Sequence, residues 1–161
     1  MTGRRRIAFA VAVVVPVLVL LAMIGFNQLA LATGDKVTLR TVPVDPVDFF
    51  RGQYVALRYP ISNVNVPSGM HEGDTVYVPL SKQGGYWDGS FGYADPPREG
   101  KFIRGVIRYA GIDSAHVEYG IETYYADEDE ARELGHAGTL SVTVVLGDDG
   151  HAWISRVEPV R

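Results

Sequence analysis

Apolar residues fill the chain from Ile7 to Phe26, and no charged residue interrupts them. At ~1.5 Å rise per residue, such a run spans the ~30 Å hydrocarbon core of a bilayer, where only a helix satisfies its own backbone. The pattern therefore predicts one N-terminal transmembrane helix over 7–26, kinked where Pro16 removes a backbone bond. From Lys36 onward it changes to short alternations of apolar and polar residues broken by Gly, Pro and Asp. Val37 and Leu39 open one such run, which extends to Val44. Gln53 to Tyr59 is another, with Val55, Leu57 and Tyr59 facing one way and Tyr54, Ala56 and Arg58 the other. Further strands are expected over 75–80, 101–110, 115–125, 139–146 and 151–157. The last two flank Gly147-Asp148-Asp149-Gly150, which tolerates the positive φ that a tight hairpin requires.

Two short helices interrupt the strands. Asp45 caps one, Pro46 takes its first helical position, and it runs to Phe50 before stopping at Gly52. Asp127 caps the other, with Glu130 placed for a variant capping box and Gly135 ending it. Gly84 to Gly100, rich in Gly, Tyr, Trp and Pro, reads as a long exposed loop. The expected fold is thus one transmembrane helix followed by a mainly β (β-rich α+β), antiparallel barrel or sandwich with one or two short helices. The corresponding division is a cytoplasmic N-terminus at 1–6, an anchor at 7–26, a linker at 27–35 and an extracytoplasmic β-rich domain at 36–161.

Charge sets the orientation. Arg4, Arg5 and Arg6 stand directly before the apolar run, and the positive-inside bias holds them in the cytoplasm, leaving the rest outside. A cleaved signal peptide competes with this reading, because Ala30-Leu31-Ala32 has the small-x-small form cut after Ala32. The run is nearer twenty residues than the ~7–15 of a signal core, which favours retention as a single-pass anchor in the plasma membrane. The chain past residue 32 holds all 19 acidic residues but only 12 of the 15 basic ones, about −7 in net charge. That balance argues against nucleic acid and against broad adhesion to anionic lipid. The chain has no cysteine, which excludes disulfides, thiol catalysis, Cys-type metal sites and a lipoprotein anchor.

The segment Arg51-Gly52-Gln53-Tyr54-Val55-Ala56-Leu57-Arg58-Tyr59 resembles the motif of the GDYXXLXY family of bacterial membrane-anchored proteins, with Gly52, Tyr54, Leu57 and Tyr59 matching. Asp45-Pro46 and Asp48 resemble the family's approach to that motif. Tyr119-Gly120-Ile121-Glu122-Thr123-Tyr124-Tyr125, with the acidic helix and Glu133 after it, is similar to the family's second half. Gln53 departs from the pattern, standing where the family usually has Asp, so a catalytic carboxylate is not expected there. The resemblance implies membrane anchoring, an exported β-rich domain and a polytopic membrane protein encoded beside it or fused to it. It implies no activity.

Candidate chemistry is sparse. Arg51, Tyr54, Arg58 and Tyr59 form the sharpest group, in which Tyr54 and Arg58 can offer a hydroxyl and a guanidinium to an anionic or sugar-like ligand. Strand alternation explains the same spacing if Tyr54 covers the sheet, Arg58 lies over it, and Leu57 and Tyr59 fill the core. Tyr86 and Trp87, followed by Phe91 and Tyr93, either bind a ligand or partner or fold back to cap the barrel. His71, His116, His136 and His151 lack metal-ligand spacing, and Asp127 to Glu130 lacks that of a calcium loop. No serine sits in a nucleophile elbow, and no glycine-rich phosphate loop precedes a helix. The reading expects no cofactor, no metal and no catalytic residue. It favours a non-enzymatic accessory subunit of a cell-envelope membrane complex, over a binding module for an envelope glycan or peptide and, last, an envelope hydrolase or transferase.

Overall fold

The structure, a computed structural model, describes residues 11–23, 25, 34–42 and 54–160. The chain divides into two units, Met1–Gly34 and Asp35–Arg161. In the first, residues 11–23 are helical (α1) and every one of their side chains is exposed. The other residues of the expected 7–26 span lie outside the described residues, apart from residue 25. Among the described residues no helix is long and apolar enough to cross a membrane. The helix expected over 45–50 also lies outside them.

The second unit is mainly β. Its strands are β1 (Asp35–Arg40), β2 (Tyr54–Ala56), β3 (Asn63–Asn65), β4 (Thr75–Gln83), β5 (Tyr86–Asp88), β6 (Lys101–Ala110), β7 (Ser114–Glu118), β8 (Thr123–Tyr125), β9 (Leu140–Leu146) and β10 (Ala152–Pro159). A single α-helix among its described residues, α2 (Glu128–His136), precedes β9. The strands form a three-stranded sheet ordered β1-β9-β10, a two-stranded pair β2-β8 and a five-stranded sheet ordered β3-β7-β6-β4-β5. All the ladders are antiparallel. The sheets curl as a half-barrel over one core, to which Val37 and Leu39 of β1, Val55 of β2, Ile103 and Ile107 of β6 and Val142 and Val144 of β9 all contribute. The hairpin at 147–150 forms as the sequence predicts: Gly150, at φ 79°, donates to the Gly147 carbonyl and its own carbonyl accepts from Arg104 of β6. That last bond ties the small sheet to the large one.

Three expectations change. The strand expected over 115–125 is two strands in different sheets, because Gly120 takes φ 81° and turns the chain between β7 and β8. The stretch 84–100 is not simply a loop. Gly84 and Gly85, both at positive φ, make a two-residue hairpin turn that pairs β5 back onto β4. The helix α2 starts on its predicted cap, where the Asp127 carboxylate accepts from the Glu130 amide at 2.9 Å. It does not stop at Gly135; it runs to His136, and Gly138 takes the positive φ beyond it. The Glu130 carboxylate accepts from the Tyr124 hydroxyl at 3.1 Å, which binds α2 to β8.

Candidate functional site

The alternation read from 53–59 sets the local geometry. Val55, Leu57 and Tyr59 are buried, Tyr54 and Ala56 are half-buried, and Arg58 is exposed. Only 54–56 make a ladder, yet the chain stays tied beyond it, since Leu57 donates to the Glu122 carbonyl and the Arg58 carbonyl accepts from Val42. Tyr59 therefore enters the core, where its hydroxyl donates to the Ile121 carbonyl at 2.8 Å. The reverse bond exists as well: Tyr119, also buried, donates its hydroxyl to the Ile61 carbonyl. Each tyrosine thus reaches the carbonyl two residues beyond the other, and the segments 59–61 and 119–121 are clasped to each other.

Glu122 completes this clasp, its carboxylate accepting from the Tyr119 amide at 2.7 Å. Burial, and then the negative charge of Glu122, push both phenols well above the ordinary tyrosine range. Both phenols therefore stay protonated near neutral pH. Gly105 of β6 makes the room. A Cβ there would lie 2.8 Å from the Tyr119 ring and 2.4 Å from a Val117 methyl. Sequence reading singled out Tyr59 but took 119–125 as the end of one strand and as a family resemblance, and it passed over Gly105. An isolated glycine inside a strand pattern was the available signal.

The structure does not assemble the remaining candidates into one centre. Arg51 lies outside the described residues. Tyr54 packs edge-on against Tyr125, its partner across the β2–β8 ladder, with ring centroids 6.3 Å apart. Tyr59 is occupied inside the clasp and offers nothing to a surface ligand. Tyr86 and Trp87 stand on β5, in a different sheet from Tyr54. There they line a cleft of about 190 Å³ with Leu39 and Arg40 of β1 and with Pro60 and Ile61, the residues directly after Tyr59. The Arg40 guanidinium lies 5.8 Å from the Tyr86 ring centroid, and the Lys101 ammonium 5.6 Å from that of Trp87. Lys101 also pairs with Asp35. Phe91 and Tyr93 pack on each other at 5.0 Å, and both are a little under half exposed.

The histidines have separate neighbours. His71 lies beside Asp74, His116 beside Asn63, His136 on the Arg132 carbonyl and His151 edge-on to Trp153. Among the described residues no three His, Asp or Glu side chains converge as a metal site would require.

A small antiparallel β domain, closed by two buried tyrosines and carrying an aromatic cleft at its surface, is the class these features define. The chain belongs to the GDYXXLXY protein family, whose sequence profile matches residues 16–157. No curated protein and no solved structure matches it.

Proposed function

We propose that this chain is a single-pass, membrane-anchored accessory subunit of a cell-envelope complex, with a non-enzymatic extracytoplasmic β domain and a polytopic membrane protein as its partner. The observation that carries this reading is the helical stretch 11–23, in which Val11, Leu18, Leu20, Leu21 and Met23 are all at least half exposed. Apolar side chains left uncovered in this way favour lipid or another apolar helix as their surroundings. The Arg4 to Arg6 cluster before the stretch supports an orientation with the β domain outside.

The clasp supports the non-enzymatic part of the reading. The matching motif tyrosine Tyr59 is buried, and its hydroxyl is committed to the Ile121 carbonyl inside the core. A contact surface is available at the β6–β7 turn. A bulge between Ile107 and Tyr109 breaks the inward alternation of β6 and sends Tyr109 outward, 70% exposed. Ile112, at the tip, is 90% exposed. Affinity capture of the tagged full-length chain from its native membrane in mild detergent, read by mass spectrometry, tests the proposal. Recovery of one polytopic membrane protein in fixed ratio is the expected result; recovery of the chain alone contradicts it.

A further inference from the structure

The cleft between β1 and β5 combines groups that the clasp leaves unused. Its floor is apolar, formed by the buried Leu39 and Ile61. Tyr86 and Trp87, successive residues of β5, both line it, and the Arg40 guanidinium lies 5.8 Å from the Tyr86 ring centroid. Arg104, Arg108, Arg132 and Arg156 each pair with a carboxylate, whereas Arg40 makes no ion pair among the described residues. In a domain this acidic, an arginine that pairs with no carboxylate among the described residues, at the mouth of an aromatic cleft, is suited to a ligand's anion. Gln83 and Asp88 add a carboxamide and a carboxylate at the same cleft. One Asp88 oxygen accepts from the Gly89 amide, and the other remains able to accept from a hydroxyl.

We propose that this cleft binds a sugar ring bearing one carboxylate. Arg40, backed by the Tyr86 ring, takes the carboxylate, the Trp87 ring meets the apolar C–H face of the sugar, and Gln83 and Asp88 meet its hydroxyls. The volume favours one rigid ring over a run of peptide, since it falls below the ~300 Å³ at which clefts for larger ligands begin. The site goes beyond the accessory role and does not depend on it. Only the source of the sugar, an envelope glycan, rests on the extracytoplasmic placement.

Trp87 is the natural reporter, because the chain has only one other tryptophan, Trp153. The full-length chain carrying Trp153→Phe is titrated in detergent with D-glucuronate and N-acetylmuramic acid, and separately with neutral N-acetylglucosamine. The acidic sugars are expected to shift Trp87 emission saturably, with the neutral one roughly tenfold weaker or worse, the scale of one lost charge-assisted contact. Arg40→Gln abolishes that preference, Arg40→Lys retains part of it, and Arg156→Gln leaves it unchanged. Equal response to acidic and neutral sugars overturns the proposal, as does preference surviving in Arg40→Gln. So does the absence of a saturable change, or a response confined to an acetylated tripeptide with a free carboxyl terminus. Loss of membrane-partner recovery with these titrations intact would instead sink only the accessory role.

Discussion

Tyr59 and Tyr119 each satisfy, with a buried hydroxyl, a carbonyl that the core would otherwise leave unpaired. Tyr59→Phe keeps the ring and deletes one bond, so destabilisation of about 1–3 kcal/mol is expected by urea denaturation. Tyr119→Phe should cost a similar amount. Both bonds join the same two segments, so the double variant should depart from additivity by at least ~0.5 kcal/mol. The phenols also set an alkaline limit. Their pKa values are raised in the folded state, by burial first and Glu122 second, while the unfolded chain ionises them near the ordinary value of 10. Their protonated forms therefore stabilise the fold fully below pH ~10, and above it stability falls by up to ~1.4 kcal/mol per pH unit for each tyrosine. Tyrosinate absorbance during an alkaline titration checks this. Two of the nine tyrosines should ionise only as the protein unfolds, and Tyr59→Phe should reduce that late step by half.

Among the elements, β6 is the one whose sequence most constrains its neighbours. It pairs with β4 on one edge and β7 on the other, and Gly105 lets Val117 and Tyr119 close over it. Gly105→Ala would place a methyl 2.7 Å from the Glu118 carbonyl oxygen as well as against the Tyr119 ring. It should cost about 1–3 kcal/mol by overpacking, with near-ultraviolet circular dichroism reporting the displaced Tyr119. Strand alternation made β1, β4, β6, β9 and β10 legible, because each buries one face and its period shows directly in the sequence. The turn at 147–150 and the start of α2 were legible for the same local reason: Gly and Asp act within a few residues. β3 was not, since three residues between a 3-10 turn at Pro60–Ser62 and a further loop are too short to show a period. The break at Gly120 depends on which sheet each strand joins, and alternation carries no such information. The pairing of β5 onto β4 had a local signal in Gly84-Gly85, which reading 84–100 as a loop passed over. The site divides in the same way. Burial of Tyr59 followed from its place in the run, but its bond to Ile121 and the meeting of Arg40 with Tyr86 join residues far apart in sequence. Arg40 reads simply as the polar end of a strand.

At the scale of the whole molecule, the chain joins an apolar N-terminal stretch to an acidic β domain with its own continuous core. Among the described motif residues Val55, Leu57 and Tyr59 are buried, so the account places function on surfaces: the proposed anchor, the Tyr109–Ile112 tip and the β1–β5 cleft. Its central claim is the membrane partner. The most direct measurement is the partner-to-bait ratio after mild-detergent capture, compared between the native sequence, the Tyr59→Phe variant and a Tyr109→Ser, Ile112→Ser double variant. The account predicts one polytopic membrane protein at fixed ratio for the first two and a ratio at least ~10-fold lower for the third, as expected when exposed apolar anchors are removed. The bait recovered alone from all three would contradict it.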